Sequence, residues 1–134
     1  MKLFGTSVNQ KLAGLWLFFL RVLVSVFMLT HGYPKFLKLL SGDTAFGDPL
    51  GIGSTLSLVL AVFAEFFCSI LLMLGLGSRL ATIPLIITMA TAAFVVHAGD
   101  ELGKQEFPIL YLLIYVTILV FGPGKFAVDA KLKM

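Results

Sequence analysis

The chain has 134 residues, of which 59% are hydrophobic and 13% are charged, and its mean hydropathy is +1.03. Soluble domains are about 45–50% apolar and about 25% charged, so this composition excludes a soluble enzyme, a soluble nucleic-acid-binding domain and a disordered tail. The net charge of +3 is dispersed along the chain and forms no basic patch interleaved with aromatic residues, so no nucleic-acid partner is expected.

Four apolar segments predict membrane-spanning helices. In chain order they cover approximately residues 12–31, 55–76, 79–98 and 106–122. Because the connections between them are short, the sequence favours an all-α, antiparallel four-helix bundle in one transmembrane domain over residues 1–134, surrounded by the lipid bilayer. The segment 35–40 has an amphipathic pattern and is expected at the outer membrane interface, and residues 38–53 form the longest predicted loop.

Lysine and arginine are distributed unequally between the two ends of this predicted bundle. Six lie at the end that carries both termini: Lys2, Lys11, Arg79, Lys125, Lys131 and Lys133. Three lie at the opposite end: Lys35, Lys38 and Lys104. By the positive-inside rule we expect both termini in the cytoplasm and the chain in a bacterial-type inner membrane.

Two charged residues fall deep inside predicted spans, away from the span ends. Arg21 and Glu65 each lie about nine residues into their span, roughly 14 Å deep at 1.5 Å per residue. An arginine at that depth costs about 2.5–3.5 kcal/mol on insertion scales, so pairing with an opposite charge is expected. The sequence therefore predicts an Arg21–Glu65 ion pair, acting either as a structural clamp between the first two helices or as a group that polarises a ligand or carries protons.

A second polar cluster is predicted at the end away from the termini. His31 ends the first span and Lys35 follows it, while His97 ends the third span and Glu106 precedes the fourth. These side chains could converge in a polar cup, where imidazoles bind a ligand carbonyl or shuttle protons. Alternatively, they only contact lipid headgroups and helix termini. Two histidines without a close His-x-x-x-His spacing predict no metal site, and the single cysteine excludes an internal dithiol.

Three segments resemble motifs of the DoxX family of small membrane proteins. Residues 20–36 look like its arginine-containing first helix, which ends in His-Gly-x-x-Lys, and residues 64–79 resemble its Ala-Glu helix with a Gly-x-x-x-Arg turn. Residues 97–129, with Gly-Pro-Gly at 122–124 and Asp129, are similar to its last helix and tail, although Phe-Ala-Val at 126–128 departs from the usual serine before leucine and aspartate. The resemblance implies a four-helix membrane fold and a link to respiratory or sulfur-oxidising quinone chemistry.

Two functions are consistent with these features. The first is an integral membrane subunit of a quinone-linked oxidoreductase system, which binds a quinone or similar apolar ligand in a polar pocket. Its candidate ligand-binding or proton-relay residues are Arg21, His31, Lys35, Glu65, His97 and Glu106. The chain has no intrinsic cofactor motif, so a partner protein would carry the redox centre. The second is a non-enzymatic scaffold or assembly factor; a small transporter has less support because no internal repeat is evident. Whether the chain is itself catalytic, and whether it forms a homo-oligomer, stays open.

Overall fold

The computed structural model describes residues 3–132, so Lys2 and Lys133, two of the lysines behind the predicted orientation, lie outside the described residues. The helices are α1 (Gln10–Leu40), α2 (Ser54–Leu74), α3 (Ser78–Val96), α4 (Leu102–Phe121) and the short α5 (Val128–Leu132). The first four are long and apolar enough to span a membrane, which confirms the prediction of an all-α membrane fold with four spans.

Helix α1 is longer than the sequence indicated. It begins behind Asn9, whose side chain accepts hydrogen bonds from the backbone N–H groups of Lys11 and Leu12, and it continues through Pro34 to Leu40. Its 31 residues correspond to about 46 Å, well beyond a hydrocarbon core of about 30 Å. Residues 35–40 therefore continue α1 beyond the predicted end of the first span near residue 31, because a proline removes one backbone hydrogen bond without necessarily ending a helix.

Neighbouring helices pack in chain order, α1 on α2, α2 on α3 and α3 on α4, whereas α4 touches α1 at few positions. Arg21 of α1 reaches Leu72 of α2, while Gly32 lies against Glu65, so the contacts on these two helices run in opposite directions. The buried core between the helices includes Met28, Leu72, Leu85, Tyr115 and Ile118. Most other large apolar side chains point outward, as a surface facing lipid requires.

Helices α2 and α3 each contain one π-helical segment, Phe63–Cys68 in α2 and Ala92–Val96 in α3. A π segment displaces backbone carbonyls from the regular α-helical ladder, and such segments occur frequently at functional sites. In α3 the carbonyl of Ala93 accepts a 3.1 Å hydrogen bond from the side-chain Nε2 of Gln105 in α4. The π segment of α2 contains Glu65, and that of α3 ends immediately before His97. Both residues line the same cavity.

Candidate functional site

A cavity of about 760 Å³ opens at the end of the bundle where α1 and α3 end and α4 begins, which we call the cavity end. Its wall is mostly apolar. The polar side chains that interrupt this wall come from all four spanning helices and include His31, Lys35, Glu65, His97 and Tyr111. Ligand sites in proteins typically have this composition, a largely apolar surface with a few polar groups that fix orientation.

Glu65 and Lys35 form the ion pair of the cavity wall. The ammonium of Lys35 donates to both carboxylate oxygens of Glu65, at 2.8 and 2.6 Å. The Glu65 side chain is only 3% exposed, whereas that of Lys35 is 31% exposed. Lys35 has three N–H donors and uses two of them here, so one remains for an acceptor on a bound molecule.

The approach of α1 to α2 at this level depends on Gly32. A Cβ on Gly32 would overlap the backbone carbonyl of Glu65, so only glycine lets the two helices come this close. Because α1 stays helical through Pro34, Lys35 follows His31 by four residues on the same helix face. The glycine contact and the unbroken helix together bring the lysine to Glu65.

The two histidines of the cavity have different neighbours. His31 packs edge-on against Tyr111, with ring centroids 6.1 Å apart, and both line the cavity. His97, which directly follows α3, also lines the cavity, and its Nδ1 is 3.0 Å from the Oδ2 of Asp100. This contact to a carboxylate orients the imidazole of His97 and leaves its other nitrogen available. Two imidazoles, one from α1 and one from the end of α3, thus line the cavity and could bind an acceptor or exchange a proton.

The loop between α1 and α2 covers part of the cavity with Phe46, Pro49, Leu50 and Ile52. Asp48 holds this loop together. Its carboxylate accepts hydrogen bonds from the backbone N–H groups of Ile52 (2.8 Å) and Gly53 (2.9 Å) and from the hydroxyl of Ser57 (3.1 Å). These hydrogen bonds, that from Gly53 first, lower the pKa of Asp48 from its ordinary value. The cover is therefore anchored to the start of α2 by a carboxylate that stays ionised at neutral pH.

The predicted Arg21–Glu65 ion pair is wrong. The guanidinium of Arg21 donates instead to the backbone carbonyls of Leu72 (2.9 Å), Met73 (2.5 Å) and Phe126 (2.8 Å), and the residue is only 1% exposed. Glu65 and Leu72 are seven residues apart on α2, which places Arg21 about 10 Å from the level of Glu65. The last carbonyls of a helix have no partner within it, and Arg21 satisfies them at the end of α2.

The C-terminal segment completes this arrangement through Asp129. Its carboxylate accepts hydrogen bonds from the backbone N–H groups of Gly77 (2.7 Å) and Ser78 (2.8 Å) at the start of α3. Burial raises the pKa of Asp129, but hydrogen bonds from Ser78 and Gly77, with the charge of Arg21, outweigh it and the pKa is lowered. We call Arg21, Asp129 and the turn between α2 and α3 the terminal clasp. Asp129 was not among the predicted site residues, although its place in the tail motif was a signal.

The six candidate residues therefore separate into groups. His31, Lys35, Glu65 and His97 line the cavity, whereas Arg21 belongs to the terminal clasp. Glu106 is exposed and does not line the cavity. Near the start of α4 it is Lys104 that lines the cavity instead. Tyr111, one turn further into α4 than Phe107, is a second polar lining residue of α4 that the predicted polar cup did not include. The geometry thus combines donors, a carboxylate and two imidazoles around one apolar chamber.

Comparisons with known proteins agree with the fold and the motifs. A family model described as DoxX matches residues 16–98, a range that contains Arg21, Gly32, Lys35, Glu65 and His97. The chain is 34% identical to an uncharacterized protein of Haemophilus influenzae, over 91% of this chain and 94% of that relative. It is 28% identical to an uncharacterized membrane protein of Mycobacterium tuberculosis, over 84% of this chain and 78% of the relative. No solved structure matches. The chain therefore belongs to the DoxX family of membrane proteins.

Proposed function

We propose that the protein is a membrane subunit of a quinone-linked oxidoreductase system and that its cavity binds the ring of a quinone. The observation that carries this proposal is the composition of the cavity of about 760 Å³, which is apolar over most of its wall and polar at Lys35, Glu65 and the two histidines. A quinone has an apolar ring and two carbonyl oxygens, which accept hydrogen bonds but donate none. The free N–H of Lys35 and the imidazoles of His31 and His97 supply the matching donors.

Reduction of a bound quinone to the quinol consumes two electrons and two protons. The electrons would come from a partner protein that carries a redox centre, because the side chains around the cavity hold none. Protons could reach the ring through His31 and His97, since imidazoles exchange protons near neutral pH. In this proposal the two hydrogen bonds to Glu65 hold the ammonium of Lys35 in place, so that it polarises a quinone carbonyl.

The orientation of the chain belongs to the same proposal. Among the described residues, Lys11, Arg79, Lys125 and Lys131 lie at the end that carries the termini, which the positive-inside rule places in the cytoplasm. The cavity would then open at the outer face of a bacterial inner membrane. A redox partner acting on this cavity would dock on that face or within the bilayer.

Binding of a short-chain ubiquinone analogue to the purified protein in nanodiscs tests the proposal, together with mass spectrometry of the lipids that copurify. We expect His31→Ala to weaken binding about fivefold, because one hydrogen bond contributes about 1 kcal/mol. Ala92→Phe, which places a ring in the cavity, should abolish binding. Val95→Phe is the matched control, because Val95 lies on the same π segment, is 46% exposed and does not line the cavity.

The alternative function is a scaffold or assembly factor without a small ligand. The terminal clasp favours it, because Arg21 and Asp129 bind backbone groups of their own chain and are not available to a ligand. This alternative predicts that the analogue binds equally to the parent protein, Ala92→Phe and Val95→Phe at the level of non-specific partitioning. That result, with no quinone among the copurified lipids, would contradict the quinone proposal.

A further inference from the structure

A second concave surface lies on the outside of the bundle, between α1 and α4. It encloses about 320 Å³ and is almost entirely apolar. The α1 side of this groove consists of Trp16, Leu20, Leu23, Val24 and Phe27. The α4 side consists of Phe107, Leu110, Tyr111 and Ile114.

The groove exists because α1 and α4 are not packed along their lengths. Helix α4 packs mainly against α3, and α1 packs mainly against α2, so these two helices leave a furrow that faces lipid. Side chains along its edges are well exposed, with Trp16 at 62%, Phe27 at 56% and Leu110 at 48%. From Trp16 to Phe27 the furrow follows α1 for about 16 Å.

The groove and the cavity share two side chains, Phe107 and Tyr111, which line both. On its cavity side, the ring of Tyr111 packs edge-on against the ring of His31. Phe107 and Tyr111 therefore form the boundary that the cavity and the groove have in common. From this boundary the groove follows α1 from Phe27 toward Trp16, on a lipid-facing side of the bundle. A long apolar chain is well solvated by lipid there.

We infer that the α1–α4 groove binds the apolar tail of the ligand whose polar ring occupies the cavity, and that Phe107 and Tyr111 form the passage between the two. This inference rests on the proposed function and narrows its ligand class to quinones with a long isoprenoid tail. Phe107, Tyr111 and Trp16 give the tail aromatic surfaces to pack against. Lipid chains are themselves apolar, so the gain over bulk lipid comes from packing contacts and is modest.

The inference is tested with two probes, a ubiquinone that carries a full isoprenoid tail and the same ring without a tail, bound to the protein in nanodiscs. Leu110→Trp fills the groove, and Leu113→Trp is its control, since Leu113 is 59% exposed on the same helix and lines neither space. On α1, Leu23→Trp and its control Val26→Trp repeat the comparison. We expect the groove variants to weaken binding of the tailed quinone several-fold and to leave binding of the tailless ring unchanged.

Each other outcome has a definite meaning. Equal binding of the tailed quinone by the parent protein and both groove variants would overturn the inference, because the tail would then lie in bulk lipid or a lipid chain would hold the groove; the proposed function would stand. Binding of neither probe by the parent protein would overturn the proposed function and the inference together. Loss of both probes in Ala92→Phe, with only the tailed quinone weakened in the groove variants, would support the inference, because the ring site and the tail site would then respond separately.

Discussion

The choice of partner for Glu65 can be measured with double-mutant cycles. Lys35→Met removes two charge-assisted hydrogen bonds, at 2.8 and 2.6 Å, and leaves a carboxyl group that is 3% exposed without its cation. Breaking a buried ion pair costs about 3–5 kcal/mol. Since the Lys35 side chain is 31% exposed and the pair is therefore only partly buried, we expect a smaller loss, about 2–3 kcal/mol.

Unfolding by SDS in mixed micelles, followed by circular dichroism, gives the free energies. The cycle of Lys35→Met with Glu65→Gln should show a coupling energy of about 2 kcal/mol. The cycle of Arg21→Met with Glu65→Gln should be additive to within about 0.5 kcal/mol, because the two side chains lie at different levels of α2 and share no partner. A larger coupling for Arg21 than for Lys35 would refute the arrangement described above.

Three further predictions concern the packing, the clasp and the cover of the cavity. Gly32→Ala should lower the free energy of unfolding by about 1–3 kcal/mol, because a Cβ overlaps the backbone of α2, whereas Gly103→Ala, with open space around it, should not; SDS unfolding measures both. Asp129→Asn should cost about 1 kcal/mol through the weakened cap of α3 and should speed proteolysis of the C-terminal tail. Because the pKa of Asp48 is lowered, its contribution to the cover should persist from neutral pH to about pH 4 and be lost only at lower pH, whereas Asp48→Asn should speed amide exchange at Ile52 already at neutral pH.

The four spans were predictable because the bilayer sets the length of an apolar helix, and this requirement is visible in the sequence. The residues at which the helices end were less predictable. Pro34 and Gly32 suggested that α1 ends near residue 31, yet neighbouring α2 needs Gly32 for close contact and the helix continues for two further turns. Local propensity alone does not reveal which of these roles a glycine or proline has in the packed bundle.

The error about Arg21 has the same origin. Equal depth from the start of each predicted span places two side chains at the same level only if the paired helices begin and end at matching levels. Helix α1 instead extends past α2, so Lys35 reaches the level of Glu65 and Arg21 reaches the last carbonyls of α2. Pairing a buried charge with backbone carbonyls leaves no mark in the sequence, because every helix end offers them.

The polar cup was predictable in part. Helix polarity brings the ends of α1 and α3 to the same side, so His31 and His97 were expected near each other, and both line the cavity. Tyr111 could have been found by its position one helical turn beyond Phe107, facing the same chamber. Asp129 could not have been assigned from spacing, because its partners Gly77 and Ser78 lie about fifty residues earlier in the chain and meet it only after the tail folds back.

Photoaffinity labelling with an azido-quinone tests the central claim most directly, because it reports where the ring lies in the folded protein. After irradiation in nanodiscs and digestion, we expect the label on peptides that contain His31, Tyr111 or the cover loop at 46–52, and we expect excess unlabelled quinone to suppress it. Label that is confined to lipid-facing side chains and insensitive to competition would contradict the account, as would label concentrated at the terminal clasp around Arg21.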